Sequence, residues 1–152
     1  MILWNARGLN PKSNQTKVPY LGELSLEDEA LFILVTESHL SEDILEAEVH
    51  IKDYTIYRAD RGNDRSGGGV CIYVQDRFPC SVLHTESNSV CETLIIKVTP
   101  LNLVLCLIYR PPDCKHNEFL SCVAKVKHTF GDNADLNILL MGFMNFPTID
   151  FF

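Results

Sequence analysis

The sequence lacks any apolar run approaching the roughly 18 residues a bilayer-spanning helix needs. It also shows no secretory leader: Met1-Ile2-Leu3-Trp4-Asn5 has no basic opening, and Asn5 and Arg7 interrupt the apolar start too soon. The expectation is an intracellular protein, nuclear or cytoplasmic, with no membrane partner. Cysteine spacing points to no metal module. The six cysteines (Cys71, Cys80, Cys91, Cys106, Cys114 and Cys122) include no Cys-x-x-Cys, and no histidine pair has zinc-finger spacing. Cys71 and Cys106 fall inside apolar runs, so reduced and mostly buried thiols are expected. Gly67-Gly68-Gly69 is not followed by Lys-Ser/Thr, which makes it a turn rather than a phosphate-cradling loop. Repeats, linkers and low-complexity tracts are missing as well.

Excess positive charge is also lacking. With 13 basic and 20 acidic residues the net charge is −7, which argues against a protein that coats nucleic acid. A nuclease is still compatible, since metal-site carboxylates add negative charge and a local basic strip can hold phosphate. The charge is uneven: from Glu23 to Glu48 there are nine acidic residues and no Lys or Arg. Arg58, Arg61 and Arg65 then crowd one polar stretch.

What is present suits a single domain. The 152 residues are enough for one core, and 46% hydrophobic with 22% charged residues is ordinary for a soluble globular chain. Residues 1–4 form a short buried strand leading to Asn5, and 10–17 form a polar loop. A short helix follows with Pro19 in its first turn and Leu21 and Leu24 inward. Leu31 to Thr36 is continuously apolar, as in a strand buried on both faces, and ends at Glu37. Ser41 to Glu48 is predicted to be a helix capped by Ser41. Strands are predicted at 54–57, 70–74, 81–85, 92–98 and 103–109, the last stopped by Pro111-Pro112. A helix over about 116–129 carries Phe119, Val123, Val126 and Phe130, and Leu136 to Met141 is predicted to be another buried strand. Fully apolar strands with helices between them indicate a layered α/β fold. Asn5, Glu37, Tyr109 and Asn145 each stand at or just past a strand end, where layered sheets bind ligands.

The order of motifs then adds a resemblance. Trp4-Asn5-Ala6-Arg7-Gly8-Leu9, Val35-Thr36-Glu37-Ser38-His39-Leu40, Arg58-Ala59-Asp60-Arg61, Gly67-Gly68-Gly69-Val70, Ile108-Tyr109-Arg110-Pro111-Pro112 and Gly142-Phe143-Met144-Asn145-Phe146-Pro147-Thr148-Ile149-Asp150-Phe151 follow one another across nearly the whole chain. This series resembles the endonuclease domain of LINE-type (non-LTR) retrotransposons, within the endonuclease/exonuclease/phosphatase superfamily. The resemblance implies one domain over 1–152, the N-terminal part of a four-layer α/β sandwich with its second sheet incomplete. It implies a Mg²⁺-dependent DNA endonuclease, with Mn²⁺ as an alternative ion. Glu37 matches the metal-holding Glu and Asn5 the Asn that supports metal and phosphate. Tyr109 matches the Tyr on the scissile phosphate, and Asn145 the Asn that binds phosphate or the attacking water. Hard oxygen donors suit Mg²⁺, which neutralises phosphate charge. Arg58, Arg61, Arg65 and Arg110 are the candidates for DNA contact, although the loop arginines could equally well do no more than solvate a loop.

Two departures weaken the match. Phe143 stands where the family has the catalytic Asp that activates water, a contribution of about 10²–10⁴-fold. The chain ends at Phe152, before the family's Ser-Asp-His-type motif. An impaired endonuclease is therefore one expectation. The other is a catalytically inactive retrotransposon remnant with at most weak nucleic-acid or metal binding. A third reading is another enzyme of the superfamily, an abasic-site nuclease or a lipid phosphodiesterase. The apolar residues Phe143, Met144, Phe146, Ile149, Phe151 and Phe152 predict an exposed patch and self-association.

Overall fold

A computed structural model describes residues 1–62, 67–130 and 136–145. Strand β1 (Ile2–Asn5) leads to helix α1 (Val18–Glu27), then β2 (Phe32–Thr36), β3 (Tyr54–Ala59), β4 (Val70–Gln75), β5 (Cys80–Ser87), β6 (Glu92–Val98), β7 (Leu103–Tyr109), helix α2 (His116–Phe130) and β8 (Asn137–Phe143). The strands make two four-stranded sheets, ordered β1-β2-β4-β3 and β5-β6-β7-β8. β1 runs parallel to β2 and β7 parallel to β8, and the other pairs are antiparallel.

Residue alternation explains the layering. Along β2, Ile33 and Val35 point to one side, where Leu21 of α1, Val49, Ile51 and Tyr73 cover them. Phe32 and Leu34 point to the other side and join Ile72, Val74, Leu94, Ile96, Leu105 and Leu107 between the sheets. A strand with both faces buried must be apolar throughout, as β2 is. On the outer face of the second sheet, Ile95, Val104, Cys106 and Ile108 pack under Phe119, Cys122 and Val126 of α2. The result is α1, sheet, sheet, α2: the four-layer α/β sandwich expected from the sequence, with the second sheet partial. Each fully buried Leu or Ile between the sheets contributes about 1.5–3 kcal/mol.

Pro19 lies in the first turn of α1, where its missing N–H costs no hydrogen bond. At the β7–β8 junction Gly142 faces Ile108, and a Cβ there would collide with the Ile108 carbonyl.

Five expectations are corrected. Ser41–Glu48 is not an α-helix; only Glu46–Glu48 makes a 3-10 turn. The Arg58 guanidinium donates to Ser41 O (2.9 Å) and Ile44 O (2.8 Å), taking carbonyls a helix would need. The polar stretch expected from Arg58 begins later, because β3 runs through Ala59 alongside β4. β8 is an edge strand rather than a buried one, with Ile138 and Leu140 44% and 50% exposed. Phe143 and Met144, expected to be exposed, are instead partly buried against the two core clusters that flank the second sheet. Phe146, Ile149, Phe151 and Phe152 lie outside the described residues. The six cysteines are not all free thiols, since Cys91 and Cys122 are joined in a disulfide between the start of β6 and α2. Cys71, Cys80, Cys106 and Cys114 are free, and burial pushes the Cys106 thiol up to about 12.

Candidate functional site

The two parallel strand pairs decide where the polar side chains go. Because β1 and β2 run together, Asn5 and Glu37 leave the first sheet at one end, and β7 with β8 delivers Tyr109 and Asn145 in the same way from the second. Face-to-face packing then joins the two ends. Asn5 Nδ2 donates to Glu37 Oε1 (2.8 Å), and Tyr109 Oη donates to the same oxygen across the sheets (3.0 Å). Asn145 sits two residues past β8 and donates from Nδ2 to Arg110 O (2.8 Å), which holds it beside the end of β7.

Glu37 is fixed by its backbone. Gly8 N donates to Glu37 O (2.7 Å), while on the other side Ser38 N and His39 N donate to Gly69 O (3.0 Å) and Gly68 O (2.8 Å). Gly69 has φ +80°, and a Cβ on it would meet Ser38 Oγ at 2.6 Å, so this close approach needs glycine. Arg7, Glu37, His39 and Asn145 all take left-handed backbone conformations around the site. Each costs on the order of 1–3 kcal/mol outside glycine, and such residues gather at functional sites. The cost at Glu37 is offset by the ladder bonds that flank it.

Two neighbours escaped the sequence reading. Glu92 is fully buried at the start of β6, pairs with Arg61 and accepts Gly69 N on Oε2 (2.6 Å). Burial pushes its carboxyl above the usual range, and the Arg61 cation opposes that shift. A Glu heading the apolar run Leu94-Ile95-Ile96 was the signal available in the sequence. Arg7 is exposed, and its backbone N–H is bonded to Asn5 Oδ1 (3.2 Å), which places a cation on the rim. Desolvation holds the His39 imidazole below its usual pKa, and the Glu37 carboxylate partly offsets this. The Tyr109 hydroxyl is pushed up to about 12, first by burial and then by its bond to Glu37. It therefore stays protonated and acts as a donor.

The arginines chosen from the sequence are placed differently from a phosphate-gripping strip. Arg110 is 3% exposed and spends its guanidinium on Met144 O (3.1 Å), Asn145 O (2.6 Å) and Cys114 O. It braces the backbone around Asn145 and is not presented to a ligand. Arg58 is bound to Asp60, Ser41 O and Ile44 O, and Arg61 to Glu92. Arg65 lies outside the described residues. Phe143 pairs with Tyr109 across β7–β8 and lies half-buried in the inter-sheet cluster that contains Tyr109. A separate open pocket of about 520 Å³, lined by Leu31, Tyr54 and Gln75 among others, lies at the opposite end of the first sheet.

The donor set suits a hard cation. Glu37 Oε1 is occupied by two donors, while among the described residues no hydrogen bond reaches Oε2. Asn5 turns its Nδ2 to Glu37 and its Oδ1 to Arg7 N, so the free Glu37 oxygen is the main donor, a sparse oxygen set of the kind hard divalent cations accept while keeping their waters.

No family model matches the chain, and no curated protein matches it. Solved structures do. An AP endonuclease from Archaeoglobus fulgidus superposes with TM-score 0.61 at 13% identity, covering 93% of this chain and 56% of that one. TDP2 of D. rerio, complexed with a single-strand DNA product, gives 0.60 at 12% identity, covering 95% and 59%. A mannosyl-6-phosphatase of Bacteroides thetaiotaomicron gives 0.59 at 12% identity, covering 85% and 56%. The chain thus shares its layered α/β fold with these three structures and spans somewhat over half their length.

Proposed function

We propose that this chain is a DNA phosphodiesterase domain related to the endonucleases of non-LTR retrotransposons, keeping its metal-holding half and impaired at the step that activates water. The observation that carries this reading is Glu37 at a strand end, with Asn5 and Tyr109 both donating to one of its oxygens. The fold it shares with an AP endonuclease and with a DNA-bound TDP2 supports it. The motif order through Arg110-Pro111-Pro112 and Asn145-Phe146-Pro147 favours the retrotransposon branch.

Within this reading Glu37, through the carboxylate oxygen left free of donors, and Asn5 would hold Mg²⁺, or Mn²⁺ in its place. When bound, the ion neutralises charge on the phosphate and stabilises the leaving oxygen. Asn5 fixes the Glu37 rotamer through its amide N–H. Tyr109, held protonated, would turn its single O–H from Glu37 Oε1 to a non-bridging phosphate oxygen when substrate binds. The Asn145 amide lies beside it for the phosphate or the attacking water. Arg7 supplies the exposed cation that Arg110 does not. Phe143 offers neither a lone pair nor a proton acceptor, so deprotonation of the attacking water falls to solvent. The substrate is DNA, met in the nucleus or the cytoplasm. No described helix is long and apolar enough to cross a membrane.

Phe143 also favours a second reading, a catalytically inactive remnant that retains only metal or nucleic-acid binding. A supercoiled-plasmid nicking assay with Mg²⁺, run on the chain and on Glu37→Ala, separates the two. Slow nicking that disappears in Glu37→Ala supports the impaired enzyme. No nicking by the chain, or equal nicking by both, overturns it.

A further inference from the structure

A second constellation of ligand-bearing side chains lies away from the strand-end site, on the outer face of the second sheet. His84 and Glu86 are two apart on β5 and so share a face. Glu86 pairs with Thr93 on β6, and Cys91, two residues before Thr93, faces the same way. Cys122 reaches the group from α2. The ligand atoms of Glu86, Cys91 and Cys122 all lie within 4.8 Å of one another. Glu86 Oε2 is 3.6 Å from Cys122 Sγ and 3.8 Å from His84 Nε2. Tetrahedral zinc, with arms of about 2.0–2.3 Å, needs ligand atoms about 3.3–3.8 Å apart.

We propose that, once the Cys91–Cys122 disulfide is reduced, these four residues form a Zn²⁺ site. Cys91 Sγ, Cys122 Sγ and Glu86 Oε2 are the three ligands already gathered, and His84 Nε2, 3.8 Å from Glu86 Oε2 but outside that group, turns in from its part-exposed position as the fourth. Burial differs among them in the way a structural site requires. Both cysteines are buried in the apolar cluster that also holds Ile95, Phe119 and Val126, whereas the His84 and Glu86 side chains are 34% and 22% exposed and give the ion an entry. Thr93 Oγ1, 3.7 Å from Cys91 Sγ, supplies a hydroxyl to steady the thiolate. The Cα atoms of the two cysteines are 7.0 Å apart, at the outer limit of disulfide reach, so opening the bond needs little backbone movement.

The chemistry balances. A low-molecular-weight thiol reductant gives the disulfide two electrons and two protons and becomes a disulfide itself. Each cysteine then releases its proton to solvent as Zn²⁺ binds, two protons per ion. Thiolates select Zn²⁺ over Mg²⁺, so this site and Glu37 take different ions. α2 is thereby fastened to the sheet in two mutually exclusive ways, covalently when oxidised and through the ion when reduced.

The test is titration of the reduced, folded chain with Co²⁺, a coloured stand-in for Zn²⁺, followed by displacement with Zn²⁺ and thermal melting. The expected result is one equivalent of Co²⁺ with a thiolate-to-cobalt charge-transfer band, a Tm raised by Zn²⁺, and no band in the oxidised chain. Cys122→Ser, left with one thiolate, should at least halve the band and weaken binding, and Glu86→Gln and His84→Ala, both part-exposed and tolerant, should each weaken binding at least about tenfold. Glu37→Ala should leave the thiolate-to-cobalt band and its affinity unchanged, which separates this site from the nuclease reading. Absence of the band in the reduced folded chain overturns the proposal. So does a band of undiminished affinity in Glu86→Gln and His84→Ala, a result that remains readable even if Cys122→Ser does not fold.

Discussion

Replacing Phe143 with Asp should turn the impaired site into a faster one, and the structure sets both sides of the energy comparison. Phe143 is half-buried between the sheets beside Tyr109, so losing its ring forfeits about half of the 1.5–3 kcal/mol that full burial is worth. A new carboxylate near Glu37 adds repulsion, for a total of about 2 kcal/mol. A domain with roughly 5–15 kcal/mol of stability survives that loss. A proton acceptor at the strand end is worth about 10²–10⁴-fold in rate, or about 3–5 kcal/mol of barrier. The assay is single-turnover nicking of supercoiled plasmid in Mg²⁺, with thermal melting alongside to show that the variant is folded. Phe143→Asn is the control, because it has the size and polarity of Asp without its basicity. A folded Phe143→Asp that nicks no faster than the parent, or a Phe143→Asn that gains as much, refutes the reasoning.

Arg61→Ala leaves Glu92 buried without its cation and should destabilise the chain by about 3–5 kcal/mol at neutral pH, read from urea midpoints. The Glu92 carboxyl is raised on folding, so the folded state binds its proton more readily than the unfolded one. Stability from this group is therefore greatest at acid pH and falls as pH rises towards the folded value, and the Arg61→Ala deficit should shrink on acidification. Arg110→Ala should lower Tm and activity together without changing the salt dependence of DNA binding, whereas Arg7→Ala should weaken DNA binding in low salt at unchanged Tm. Leu107→Ala, at the centre of the inter-sheet layer, should cost about 2–5 kcal/mol by denaturant titration. We also propose self-association through the apolar edge strand β8. Leu140→Lys should then reduce concentration-dependent sedimentation, and identical sedimentation of variant and parent would count against this.

Most of the layered architecture is legible in the sequence, because burial on two faces imposes an unbroken apolar run. Phe32–Thr36, Val70–Val74 and Leu103–Tyr109 announce themselves in this way. The helix at 116–130 is equally plain from Phe119, Val123 and Val126. The candidate site residues Asn5, Glu37 and Tyr109 are visible as polar groups that end such runs, and Phe143 stands out through the resemblance alone, which sets it where the family has an Asp.

Long-range partners decided the rest. Ser41–Glu48 has helical composition, but Arg58, 14 and 17 residues away, takes the carbonyls of Ile44 and Ser41. Arg110 looks like a surface cation in the sequence; only the fold shows it buried and spent on three backbone carbonyls. Glu92 and Arg61, 31 positions apart, become a buried pair only when β6 lies under the turn before β4. Cys91 and Cys122 likewise meet only because α2 packs on the outer face of β6. The sequence determined by itself that Phe32–Thr36 and Leu103–Tyr109 are buried and which polar residues close them, since periodicity and composition are local properties, whereas the equally apolar β8 became an exposed edge only through its place in the sheet. The tertiary structure alone decided which charges are free to meet a ligand, because a charge's availability depends on partners dozens of residues away.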